Sequence, residues 1–136
     1  MGAWSHESFG NDNACDWASQ LKGPKDLALI EATLDKVLAS EGEYLEAPEA
    51  SEAIAAAEAV ARLQGHFGTR DSYSKSLDAW VEKINLKPER ALAEKAKRAL
   101  DRIVSEQSEL LELWQDSEES GEWLASVAEL KKRIDA

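Results

Sequence analysis

Residues 48–65, PEASEAIAAAEAVARLQG, decide the fold. Pro48 suits the first turn of a helix, where a missing N–H costs nothing, and Gly65 suits its end. Between them Ala50, Ala53, Ile54, Ala57, Val60 and Ala61 recur at helical spacing, and most are single methyl groups. A stripe of small side chains lets a neighbouring helix approach closely. The segment is therefore expected near the middle of a helical packing. By the same spacing Ala57 lies on the stripe and should reject a larger side chain, whereas Ala55 lies off it and should accept Lys or Glu at little cost.

Helical spacing also governs the flanks. Asn11 or Asp12 can cap a short helix carrying Ala14, Trp17 and Leu21, which Gly23-Pro24 would stop. Leu27, Ile30, Leu34, Val37 and Leu38 form one apolar stripe, and Gly42 stands where a left-handed residue belongs. After a loop at HFGTRDSY (66–73) come Leu77, Trp80, Val81 and Ile84. Pro88 is placed for the first turn of another helix, with Leu92, Ala96, Ala99, Leu100 and Ile103 on its buried face. Ser105 or Ser108 can cap SELLELWQDS. Gly121 breaks the acidic run before a last helix packed through Trp123, Val127, Leu130 and Ile134. Alternating strand patterns and Asn-Gly or Asp-Gly hairpin turns are missing. The expectation is a single all-α domain over residues 1–136, a compact bundle of six to seven helices.

The opening stretch MGAWSHESFGNDNACDW sets Trp4, Phe9 and Trp17 among polar residues. Burying such rings is worth about 1.5–3 kcal/mol each, enough to offset the ordering of a short segment. An N-terminal arm packed against the bundle is expected, with the Asn/Asp cluster serving the N–H groups of the next helix.

These residues also carry a resemblance. MGAW…F.ND.A.DW, formed by Met1, Gly2, Ala3, Trp4, Phe9, Asn11, Asp12, Ala14, Asp16 and Trp17, resembles the start of small bacterial proteins of the domain of unknown function 4259 family. AIAAAEAVARLQG and SELLELW are similar to that family's alanine-rich helix and its Ser-Glu-Leu…Leu-Trp segment. The chain departs from the pattern at Ser5 and Glu7, where glycines are usual, and at Gly10, where an acid is usual. The resemblance implies a small cytoplasmic bacterial α-helical protein and assigns no activity.

Chemistry-bearing motifs are scarce. His6, Glu7, Asp12, Cys15 and Asp16 are close in sequence, and His6, Asp12 and Asp16 form a candidate polar cluster under the arm. HExxH, paired CxxC and EF-hand spacings are absent, so no metal or other cofactor is expected. Cys15 sits beside Asp16, a neighbour that disfavours a thiolate. His66 lies in a loop without a partner in sequence, and no serine occupies a G-x-S-x-G turn. A non-catalytic protein is expected. One cysteine permits no internal disulfide, no apolar run reaches the roughly 20 residues of a membrane span, and no secretory leader is recognisable. These features point to the cytoplasm.

Charge is the remaining signal. The formal net is −11, which argues against nucleic acid and anionic membranes as ligands. Six acids and no base stand between Lys36 and Arg62 (Glu41, Glu43, Glu46, Glu49, Glu52, Glu58), and eight acids and no base between Arg102 and Lys131. The bases concentrate in KPERALAEKAKRALDR (87–102). Such runs read either as solvated helix faces or as a docking surface. On the second reading Glu109, Glu112, Asp116, Glu118 and Glu119, close to Trp114, are the candidate partner-binding residues. The protein would then be a binding module for a basic partner, in the manner of an immunity protein or antitoxin. The alternatives are a structural or oligomerisation role, or a small-ligand or metal-binding enzyme with its site under the arm. The oligomeric state is left open.

Overall fold

The computed structural model describes residues 11–68 and 74–134. Among them are seven α-helices: α1 (Asp12–Ala18), α2 (Leu27–Ala39), α3 (Ala47–Leu63), α4 (Lys75–Ile84), α5 (Arg90–Ile103), α6 (Glu109–Gln115) and α7 (Ser120–Arg133), with one 3-10 turn at Pro24–Asp26. The all-α bundle expected from the sequence is present. The arm reading of residues 1–10, including Trp4, His6 and Phe9, lies outside the described residues.

Helix α3 is the axis. It packs against α1, α2, α4, α5, α6 and α7, and every residue from Ala53 to Leu63 is buried. The central position expected from its methyl groups holds, but the one-sided stripe does not. Ala55 is as fully buried as Ala57, so a charge at Ala55 would enter the core, contrary to the expectation from spacing. A helix apolar on all sides is a buried helix, and alanines let neighbours close on it from every direction. Leu at either Ala55 or Ala57 is expected to cost about 1–3 kcal/mol in urea denaturation. A free energy unchanged at Ala55 alone would restore the one-sided stripe.

The surrounding helices follow their apolar spacing. Ile30, Leu34 and Val37 of α2 and Ala96, Ala99, Leu100 and Ile103 of α5 are buried, with Leu27, Leu38 and Leu92 packed beside them. Asn11 caps α1, its Oδ1 accepting the Ala14 N–H at 2.8 Å. Trp17 is buried and donates from Nε1 to Thr33 Oγ1 at 2.9 Å, which joins α1 to α2. Trp114 and Trp123 stack with centroids 6.2 Å apart, joining α6 to α7. Three boundaries differ from expectation. Helix α1 ends at Ala18, before Leu21 and Gly23, and the next turn is fastened by Asp26 Oδ2, which accepts the N–H groups of Lys22 and Gly23. Helix α5 starts at Arg90, leaving Pro88 just outside it, and Gly121 lies inside the first turn of α7.

A buried ionic set fastens three helices. Glu58 and Arg62 of α3 are one turn apart and paired, Nε to Oε1 at 3.2 Å. Arg62 also pairs with Asp78 of α4, which accepts from Ser74 Oγ at 2.8 Å. From the last turn of α7, Arg133 grips both Glu58 oxygens at 3.0 and 2.7 Å. The acid run that reads as a solvated face thus contains Glu58, which is 3% exposed. Its burial follows from the all-round burial of α3, and the arginines compensate it.

Candidate functional site

The two acid-only runs, far apart in sequence, meet in space. Helix α2 ends at Ala39, and Gly42 turns the chain with φ +84°. The chain then runs extended through Leu45, whose side chain is buried. Helix α5 ends at Ile103, and Gln107, at φ +60°, turns that chain toward α6. Both turns need the left-handed region, which glycine enters freely and Gln107 enters against strain. The two segments touch at an isolated bridge: the Leu45 N–H donates to the Gln107 carbonyl at 2.7 Å, and the Leu45 carbonyl accepts the Glu109 N–H at 2.8 Å.

Side chains close the seam on both sides. Ser108 caps α6. Glu109 reaches across and accepts the Ala47 N–H at 2.8 Å, placing a carboxylate at the start of α3, where the helix dipole favours it. The Tyr44 hydroxyl donates to Glu112 Oε1 at 2.8 Å. That bond, seconded by desolvation and by the charges of Glu112, Glu109 and Glu46, pushes the Tyr44 phenol up to about 12. The shift reports chiefly the hydrogen bond to Glu112, made by a ring that is half exposed.

Beneath the seam lies Arg102, buried at 7% exposure. Its Nη2 donates to the carbonyls of Ser40 (3.3 Å), Glu43 (2.7 Å) and Gln107 (3.2 Å), and its Nη1 to Ser105 Oγ (3.2 Å) and the Glu106 carbonyl (3.0 Å). One guanidinium thus holds both loops. Every acceptor is neutral, and among the described residues no carboxylate pairs with it.

The candidates from the sequence divide. Glu109 and Glu112 belong to the seam and have structural work there. Asp116, Glu118 and Glu119 are exposed at the α6–α7 turn. Trp114 is buried and offers no surface. The bases of α5 are not matched to these acids: Lys95 pairs with Glu31 and Asp35 of α2 at 3.1 and 2.8 Å, and Asp101 is taken by Lys131 at 2.7 Å. Asp12 and Asp16 are exposed on α1. Among the described residues no group of three His, Cys, Asp or Glu side chains is arranged to hold a metal ion, and no helix is long and apolar enough to cross a membrane.

Tyr44 and Arg102 are the residues that sequence reasoning missed. Arg102 sits beside Ile103 on the buried edge of α5, a faint signal against the basic run around it. Its acceptors at Ser40 and Glu43 are about 60 residues away.

A family model described as a domain of unknown function (DUF4259) matches residues 2–126. No curated protein and no solved structure matches the chain. The chain belongs to the domain of unknown function 4259 family.

Proposed function

We propose that the protein is a non-catalytic binding module that docks a basic protein partner on the surface where its two acidic runs join. The observation that supports this reading is the seam itself. Leu45 against Ser108, Tyr44 against Glu112 and Glu109 against Ala47 bring the 41–49 and 106–119 segments together. Among the described residues the buried and half-buried ionic side chains are nearly balanced, six bases against five acids, so burial does not draw the acidic excess away from the surface. A surface of this kind raises the association rate of a cationic partner and repels nucleic acid and other anions. It suits neutralisation of a basic protein, in the manner of an immunity protein or antitoxin.

Affinity capture of the tagged protein at low and high salt, with mass spectrometry of the eluate, identifies the partner. Glu43, Asp116 and Glu118 are exposed, and their carboxylates take no part in the seam's bonds, Glu43 contributing only its backbone carbonyl to Arg102. Reversing all three to Lys is expected to leave the melting temperature nearly unchanged, to slow partner association severalfold and to flatten its salt dependence. An association rate indifferent to salt and to the reversal would refute the acidic docking surface.

A further inference from the structure

Behind the seam an open groove of about 820 Å³ runs between the end of α2, one face of α5 and the 105–107 loop. Its walls carry Arg98, Arg102 and the carboxylates of Glu41, Asp101 and Glu106; the fold uses Arg102 on its carbonyls and pairs Asp101 with Lys131 at 2.7 Å. Arg98, one turn before Arg102 on α5, lines the groove, is exposed, and forms no ion pair or hydrogen bond among the described residues. Arg102, also in the wall, is buried without a carboxylate, and its Nε is a buried donor with no acceptor. A buried polar group left unpaired calls for an explanation, and a guanidinium in a strongly acidic protein would ordinarily find a carboxylate. On the lips stand Glu41 and Glu106, both exposed and with side chains likewise unpaired among the described residues. Leu38 adds an apolar patch. The left-handed Gln107 keeps one lip in its place, and strain of this kind gathers at binding sites.

This mixture selects its ligand. A simple anion would meet Glu41 and Glu106, and a simple cation would meet two guanidinium groups. A molecule with both charges on a short apolar frame satisfies Arg98, Glu41 and Glu106, whose side chains are unpaired among the described residues. We propose that the groove binds a small zwitterion of the amino-acid or short-peptide class. Arg98 takes the carboxylate as a planar bidentate donor, Glu41 and Glu106 take the ammonium group, and Leu38 meets the side chain. Arg102 stays on its carbonyls and contributes positive potential beneath the carboxylate. The volume lies within the range of small-molecule sites. The groove shares Glu41 and Glu106 with the acidic segments, and binding of a dipeptide by the protein alone tests the proposal without any partner on that surface.

The test uses the whole protein and three probes: L-alanyl-L-alanine, its C-terminal amide and its N-acetyl derivative. Titrations are followed by the amide NMR signals of Gly42 and Gln107. The dipeptide is expected to shift both signals saturably, and each blocked form to bind about tenfold more weakly or worse. Arg98→Gln should weaken dipeptide binding by about tenfold or more at an unchanged melting temperature, because the side chain makes no contact that the fold needs. The absence of a saturable shift with the dipeptide, equal binding of either blocked form, or full binding by Arg98→Gln would each overturn the proposal.

Discussion

Glu58→Gln is expected to destabilise the protein by about 3–5 kcal/mol, the cost of breaking a buried ion pair from one side. Glu58 is 3% exposed and carries three charged hydrogen bonds, from Arg62 Nε and from both terminal nitrogens of Arg133. Glutamine keeps the shape, so no cavity forms and the loss is electrostatic. An amide has one acceptor oxygen, and its NH₂ group points a donor at a guanidinium that is already all donor. Urea denaturation measures the loss. Arg133→Gln should cost less, because its side chain is nearer solvent at 15% exposure. The double variant should cost less than the sum, since both changes remove the same bonds. A loss below about 1 kcal/mol for Glu58→Gln, the range of surface pairs, would mean that the set is solvated and does not fasten α7 to α3.

Arg102→Met is expected to cost about 3 kcal/mol, since it strands acceptors whose individual orphaning is worth about 1–3 kcal/mol and some will find water instead. Methionine fills the aliphatic stem and removes the donors. The local effect distinguishes this role from general packing. The N–H groups of Leu45 and Glu109 pair across the seam that Arg102 staples, so their hydrogen exchange should accelerate more than that of α3. Arg102→Lys should recover only part of the loss, because one ammonium cannot reach five acceptors spread over two loops. Unchanged protection at Leu45 and Glu109 would show that the seam holds without its arginine. If it opens, the two acidic segments separate, and binding of a basic partner should weaken with it.

Much of this architecture is local in origin. The apolar positions of α2 and α5 recur every three or four residues, and those same positions are buried or, at Leu27, Leu38 and Leu92, half-buried against the core. Asn11 and Ser108 stand at helix starts and cap them. Gly42 takes the left-handed turn expected of it, at φ +84°, and Gly65, expected to end α3, does so at φ +89°. Each of these features is set by a handful of neighbouring residues through hydrogen bonding and side-chain sterics, so the sequence by itself determines them. It also determines the formal charge of −11.

What surrounds a helix is not a local property. Ala55 and Ala57 are chemically identical, and only the arrival of six neighbours makes both positions core. Glu58 and Arg62 have the one-turn spacing of an ordinary solvated pair. Burial of α3, with Asp78 and Arg133 supplied from 16 and 75 residues away, turns that pair into the fastening of the bundle. Arg102 reads as one more base in a basic run until the chain brings the carbonyls of Ser40 and Glu43 beneath it. Glu109 and Glu112 read as free surface acids until Ala47 and Tyr44 reach them. Periodicity records which side of a helix is apolar. The closing of distant segments decides how many sides are covered and which charges find partners, because desolvation and pairing energies are set by the whole environment of a group. The tertiary structure alone therefore placed the seam, its staple and the groove behind them.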